Sequence, residues 1–322
     1  MGEREVTGVA FAAPIRPSSM KQRSIHKAVI PAAGLGTRML PFTKAAPKEM
    51  LPISNRPLIQ FAVDEAVQSG IEEIILVTSP ARETLRNYFR RDLALEQMLK
   101  QMGREEDAER LASLTGGAEI RFVQQLAPLG LGDAIACARD AVGGEPFAVI
   151  LPDAIILGLV PCIREMMACY GELPGSYVAA REVKTEELNR FGILDLQPGK
   201  APAREGSPYR VRGVVEKPSP EQAPSRMGIF GRYLLENEIF SFLAEVKADS
   251  KGEIQLTEAL AAYCRRHALY AVPFSGEHFD AGSRIGYLQA TIKAGLDDPA
   301  IGRELREFLD AVVPAGEVCN TA

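Results

Sequence analysis

An α/β fold is what the order of segments predicts for this 322-residue chain. Two observations carry it. From Lys27 onward the first half reads strand, loop, helix, strand, helix, the alternation that parallel sheets require. The second half changes to short strands set apart by proline and glycine clusters, the mark of a mixed or antiparallel region. Together they describe a Rossmann-like, mostly parallel central sheet with helices on both faces and a smaller mixed or antiparallel part.

The elements follow in order. "KAVIPAA" reads as a short buried strand. Pro57 suits a first helical turn, with Ser54 and Asn55 as candidate caps before it, and Leu58, Phe61, Ala62 and Glu65 begin a helical pattern that Gly70 ends. "IEEIILVTS" is a second strand. Residues from about Ala81 to Leu114 are charged and helix-forming, an insertion of exposed helices rather than core. "AEIRFVQQ" resumes the strands and runs into the loop "LAPLGLG" and the helical "DAIACARDAV". "PFAVILPD" is a fourth apolar strand that ends on one carboxylate, Asp153. "SYVAAREV", "FGILDL", "YRVRGVVEKP" and "RMGIFGRYLL" form the mixed region, expected to cover the ligand crevice. Helices return around Glu236 to Val246, Ile254 to Arg266, Arg284 to Ala294 and Glu304 to Val313.

Composition narrows the function classes. Apolar content of 46% with 25% charged residues is that of a soluble globular protein. A net charge of −5 argues against a nucleic-acid partner, which would call for a basic surplus. Cys137, Cys162, Cys169, Cys264 and Cys319 lack metal or disulfide spacing and read as thiols in a reducing cytoplasm. No apolar run approaches a membrane span, so no membrane partner is expected. Residues 1–24 read as a flexible tail rather than a cleaved signal.

The densest stretch is "VIPAAGLGTRMLPFTKAAPKEMLPI", Val29 to Ile53. A glycine-rich turn after a strand lets backbone N–H groups approach an anion without Cβ obstruction, and Gly34 and Gly36 suit that role. It is neither the dinucleotide fingerprint, which needs a third glycine, nor a P-loop, which needs a following G-K-[ST]. Arg38, Lys44 and Lys48 follow between Pro41, Pro47 and Pro52, which lower the entropy cost of holding cations against phosphate oxygens. Solvated cations after a tight turn are the alternative.

"AGLGTRMLPFTKAAPKEMLPI" closely resembles the signature of sugar-phosphate nucleotidylyltransferases, in particular the bacterial UTP:glucose-1-phosphate uridylyltransferase branch. "GLGDA", "AVILPD", "FGILD", "VVEKP", "GRYLL", "GEIQLTEA" and "FDAGSRIGYLQA" follow in the family's order, so the resemblance spans roughly Lys27 to Ala294. It implies one domain over residues 25–296, with a nucleotide-binding part at about 25–157 and a sugar-binding part at about 158–296, followed by a C-terminal helix and tail at 297–322.

The resemblance also implies roles. Ala33, Gly34, Gly36 and Arg38 would hold the triphosphate of UTP, with Lys48 at the reacting phosphates. Lys44 is equally suited to a surface salt bridge. Gln125 and Gly130 would read the edge of the pyrimidine, although a strand-end hydrogen bond is the plain alternative for Gln125. Asp153 matches the family's Mg2+ ligand and Asp280 a second acidic contributor; either one alone could be a helix or turn cap. Glu216 would contact the hydroxyls of glucose 1-phosphate and Lys217 its phosphate. These two neighbours can share a ligand only if the strand ends or twists there, as Pro218 permits. Gly192 would let backbone approach the sugar, or mark a bulge.

The implied reaction needs no general base, and His26, His267 and His278 lie outside the glycine loop and the strand that ends in Asp153. A homo-oligomer, dimer or tetramer, is the family's habit. The chain departs from the pattern at Asp133, where the family commonly has histidine, and at Ala281, where it has cysteine. Two alternatives stay open: a sister enzyme taking dTTP or another sugar phosphate, and a catalytically impaired subunit that only binds nucleotide sugar.

Overall fold

The computed structural model describes residues 24–80, 83–171, 173–198 and 207–312. The expected tail over residues 1–24, beyond Ser24, and the end of the C-terminal segment fall outside the described residues. In chain order the elements are β1 (Lys27–Pro31), β2 (Pro52–Ile53), β3 (Arg56–Pro57), α1 (Leu58–Gln68), β4 (Glu73–Thr78), α2 (Glu83–Phe89), α3 (Leu93–Gln101), α4 (Glu105–Ala112), β5 (Glu119–Gln124), α5 (Leu131–Cys137), α6 (Arg139–Val142), β6 (Phe147–Ile150) and β7 (Ala154–Leu157). There follow α7 (Cys162–Tyr170), β8 (Ser176–Glu182), β9 (Gly192–Leu196), β10 (Tyr209–Glu216), β11 (Met227–Leu235), α8 (Ile239–Leu243), α9 (Leu256–Tyr263), β12 (Leu269–Pro273), β13 (Glu277–Asp280), α10 (Arg284–Asp297) and α11 (Gly302–Val312).

One sheet organises the chain, in the order β5-β4-β1-β6-β11-β8-β12-β10-β9. β5, β4, β1 and β6 are parallel, as the first half predicts. β11 then enters antiparallel between β6 and β8, β8 and β12 pair in parallel, and β10 and β9 close the edge antiparallel. The mixed region therefore extends the parallel sheet rather than lying over its crevice as a separate cover.

Both faces of the parallel half are covered, which is why its strands are continuously apolar. Successive side chains of a strand point to opposite faces. Val29, Ile75, Val77 and Val149 pack with α5, α8 and α9 on one side. Ala28, Ile30, Ile74, Leu76 and Ile150 pack with α1 and α7 on the other. A buried ion pair crosses that second layer. Arg232 of β11, 1% exposed, gives Glu65 of α1 bonds of 3.0, 3.0 and 2.8 Å and donates to Leu151 O at 3.1 Å. Glu65 also accepts from Ile163 N at 3.1 Å, tying in the start of α7.

Two expectations are corrected. Ser54 and Asn55 do not cap α1. They form the turn between β2 and β3, Ser54 at φ +55°, and the helix starts from Pro57 with Leu58 N donating to Leu51 O at 3.0 Å. The insertion α2 to α4 is mostly exposed, yet Leu85 and Phe89 reach the α1/α7 side of the core. Among the described residues no disulfide joins Cys137, Cys162, Cys169 or Cys264. Among the described residues no helix is long and apolar enough to cross a membrane.

Candidate active site

The loops after the carboxyl ends of β1, β5 and β6 open on one crevice of about 820 Å³, where open α/β sheets place ligands. Twelve residues singled out from the sequence for a site role line it: Ala33, Gly34, Gly36, Arg38, Lys48, Gln125, Gly130, Asp153, Gly192, Glu216, Lys217 and Asp280. Lys44 does not. It ends a short 3-10 helix, Phe42–Lys44, with its side chain in solvent, the surface position left open for it.

The phosphate-loop candidate folds back on itself. Gly36 sits at φ +67°, a conformation a side chain disfavours, and a Cβ there would come 2.9 Å from Thr43 Cγ2. Thr43 Oγ1 and Met39 N both donate to Gly36 O, at 2.9 Å each. That closure leaves Arg38 two-thirds exposed at the mouth of the crevice and brings Lys48 in beneath, 18% exposed.

Asp153 leaves the end of β6, and β7 immediately pairs antiparallel with β13, setting Ala154 opposite Asp280. Ala281 N donates to Asp153 O at 2.8 Å. The two carboxylates thus meet across a ladder of two short strands. Gly282 lies between them: a Cβ there would stand 3.0 Å from Asp153 Oδ2, 3.1 Å from Asp280 Oδ1 and 3.3 Å from Arg38 Nη2. A small apolar cluster of Met39, Leu51, Ile53, Leu58, Ile155, Ala281 and Ala290 locks this corner to the glycine loop and to α10.

Asp153, Asp280 and Glu216 each face a cation. Lys48 donates to Asp153 in a short ion-paired bond. Burial alone would lower the Lys48 pKa, but Asp153 and Glu49 outweigh it and hold the ammonium above the usual lysine value. Burial likewise works against the Asp153 carboxylate, and the Lys48 charge and hydrogen bond, with Arg38, hold its pKa below the usual value. Asp280 is held by Arg190 at 2.8 Å and lies 3.9 Å from Arg38. Arg190 was not picked out from the sequence, although it directly precedes the quoted "FGILD".

At the other end, β10 stops at Glu216 and Lys217 turns to φ +43°. This is the strand ending that lets two neighbours face one ligand. Lys217 Nζ reaches Glu216 Oε1 at 2.7 Å, and Thr257 Oγ1 donates to Glu216 Oε2 at 2.9 Å. Thr257 is a second residue the sequence reading missed. Gly192 pairs in register with Glu216, and a Cβ there would come 2.8 Å from Thr257 Cγ2. The irregularity in this ladder falls between Val211 and Gly213 instead, so the bulge alternative for Gly192 does not hold.

Gln125 follows β5 and is 4% exposed. Its Nε2 donates to Gly130 O at 3.2 Å and to Asp133 Oδ2 at 2.7 Å. Gly132 N donates to Ile254 O at 2.8 Å and Ile254 N to Leu129 O at 2.7 Å, fastening this loop to the start of α9. His278 stacks edge-on to Phe230 at 4.7 Å, and burial, helped by Arg232, lowers its pKa to about 4. It is neutral near pH 7 and packed among aromatic rings.

These features gather a glycine turn, cations and carboxylates along one crevice. The chain belongs to the nucleotidyl transferase family, whose model matches residues 27–295. More particularly, it is 39% identical over 292 residues to a UTP–glucose-1-phosphate uridylyltransferase of Bacillus subtilis, covering 91% of this chain and 97% of that one. The structure of a UTP-bound UGPase from Acinetobacter baumannii matches with TM-score 0.81 and 36% identity over 89% of this chain and 99% of that one. A UDP-glucose pyrophosphorylase complexed with UDP-glucose matches with TM-score 0.76 and 36% identity over 84% and 98%.

Proposed function

We propose that the protein forms UDP-glucose and pyrophosphate from UTP and glucose 1-phosphate. The observation that carries this is the gathering of Asp153, Asp280 and Arg38 around Gly282, with Lys48 bonded to Asp153, in one crevice with Gln125 and Glu216.

The division of labour follows the sheet. Residues 25–157 take the nucleotide: the bare loop Ala33 to Gly36 admits the triphosphate, Arg38 and Lys48 hold its oxygens, and Gln125 with Gly130 meets the pyrimidine edge. Residues 158–296 take the sugar phosphate: Glu216 accepts from glucose hydroxyls, Gly192 lets the sugar approach the backbone, and Lys217 holds the phosphate. The segment 297–322, of which residues 297–312 are described, follows these two parts in the chain.

The attacking group is a phosphate oxygen that is already an anion near neutral pH, so no base is needed. An oxygen of glucose 1-phosphate bonds to the α-phosphorus of UTP, and the bond to the pyrophosphate oxygen breaks. Two anions must be brought together, and charge moves onto the leaving group. Positioning and fixed cations carry most of such catalysis. Lys48, kept protonated by Asp153, supplies a fixed positive charge, and Arg38 adds a fork for two phosphate oxygens.

The donor set at Gly282 fits Mg2+, since Asp153 and Asp280 offer only oxygen and a hard dication commonly uses one or two carboxylates plus substrate phosphates. Asp153 and Asp280 would hold it. When bound, the ion neutralises charge on the phosphates. Exposed Ile285, Leu288, Phe308 and Val312 on α10 and α11 support a homo-oligomer, dimer or tetramer, and the setting proposed is the cytoplasm.

The test is pyrophosphate release with Mg2+, glucose 1-phosphate and each of UTP, dTTP, ATP, GTP and CTP. Fast release with UTP supports the reading. Silence with UTP from folded protein refutes it, and preference for dTTP moves the chain to the sister activity.

A further inference from the structure

We infer that Asp133 is a specificity-determining positioning residue that locks the Gln125 amide in one orientation, so that the site accepts pyrimidines carrying an N3–H and rejects cytosine. The inference rests on the proposed nucleotide site and deepens it.

The geometry leaves Gln125 one choice. Its two hydrogen-bond partners, the Gly130 carbonyl at 3.2 Å and the Asp133 carboxylate at 2.7 Å, only accept. An NH2 group must therefore face both, and both of its hydrogens are taken. The opposite rotamer would press Oε1 against a carbonyl and a carboxylate, three acceptors with no proton among them. Oε1 makes no hydrogen bond among the described residues, and the side chain lines the crevice while only 4% exposed. What Gln125 offers a ligand is thus an acceptor alone.

Base chemistry supplies the rest. Uracil and thymine carry a hydrogen on N3, which an acceptor can take. Cytosine has a bare N3 and needs a donor there. A free glutamine could serve either base by turning its amide over, so Gln125 by itself does not discriminate. Asp133 does, because it stands one helical turn along from the loop, in α5, and holds the donor end away from the base. Its carboxylate can never donate to Oε1 when ionised. Removing it leaves only the weaker 3.2 Å contact to Gly130 O against the flip.

The test compares kcat/KM for UTP, dTTP and CTP with glucose 1-phosphate in the wild type and in Asp133→Ala, Asp133→Asn and Asp133→Lys. The Ala variant should lower the UTP-to-CTP ratio by about ten-fold or more, the size of effect a mispaired polar group has on discrimination. The Asn variant, whose own amide can turn to accept from Gln125 or to donate to it, should lower the ratio too, by no more than the Ala variant does. The Lys variant can only donate, should favour the flipped amide and should lower the ratio as well. It carries the test if the Ala variant fails to fold, since any change in triphosphate affinity from its charge cancels in the ratio. The dTTP-to-UTP ratio should stay put in all of them, because both bases carry the N3–H, and general loosening of the loop would not spare it selectively.

A UTP-to-CTP ratio that is unchanged in Ala and Lys variants overturns the lock, as does a parallel loss for all three nucleotides. Wild-type protein that uses UTP while the variants keep its preference refutes this inference alone. Wild-type protein that turns over no pyrimidine nucleotide refutes the proposed function and the inference with it.

Discussion

Replacing Lys48 by methionine keeps the aliphatic stem and removes one charge, and the structure sets two separable consequences. The first concerns turnover. In the role proposed for it, as a fixed cation at the reacting phosphates, Lys48 would act as other preorganised electrostatic groups do, whose removal costs about 100-fold to 1,000-fold in kcat, or about 3–4 kcal/mol. The second concerns stability. Breaking a fully buried pair costs about 3–5 kcal/mol and an exposed one about 0–1 kcal/mol. Lys48 and Asp153 are 18% and 22% exposed, and Arg38 still faces Asp153, which places the cost at roughly 2 kcal/mol.

The pH dependence of that cost is fixed in sign. The Asp153 pKa is depressed, so its contribution is complete above the ordinary Asp value of about 4 and is lost as pH falls through the folded value. The Lys48 pKa is raised, so its contribution is complete below the ordinary Lys value of about 10 and is lost as pH rises through the folded value. The stability gap between wild type and Lys48→Met should therefore be widest between these limits and close on both sides. Urea unfolding across pH and steady-state pyrophosphate release measure the two effects separately. A kcat within three-fold of wild type, or a gap indifferent to pH, would refute the reasoning.

Three further outcomes are expected. Glu65→Leu and Arg232→Met should each cost about 3–5 kcal/mol in urea unfolding, and the double variant much less than their sum; additive costs would show that the pair is not coupled. His278→Phe should flatten the fall in stability between pH 6.5 and about 4 by about 3 kcal/mol, since the folded protein resists protonating this ring while the unfolded chain does not; an unchanged slope would contradict the buried neutral ring. Gly282→Ala should cut turnover by about 100-fold with a near wild-type Tm, because its methyl group would stand between Asp153, Asp280 and Arg38; wild-type kcat would place the reacting phosphates elsewhere.

Much of this is legible in the sequence. The apolar runs of β1, β4 and β6 gave away the parallel half, and the glycine turn and its cations marked one wall of the crevice. The residues carried over by resemblance then converged on it from six separate loops and strand ends. What stayed hidden depends on partners distant in the chain. β7 and β13 have four residues each, too few to show a period, and only their pairing brings Asp280 to Asp153. The insertion of β11 between β6 and β8 is a choice of neighbour that local pattern does not encode. Arg190 and Thr257 gain their roles only from the acids they face. Ser54 and Asn55 had the chemistry of caps, but the backbone of Leu51 had already taken the amide at the helix start.

The most direct test of the account is the fate of oxygen. Glucose 1-phosphate labelled with ¹⁸O at its non-bridging phosphate oxygens is incubated with UTP, Mg2+ and the protein, and both products are weighed by mass spectrometry. Attack of the sugar phosphate on the α-phosphorus predicts UDP-glucose carrying all of the label and pyrophosphate carrying none. Label in pyrophosphate, or no UDP-glucose formed by folded protein, would contradict the reaction assigned to this crevice.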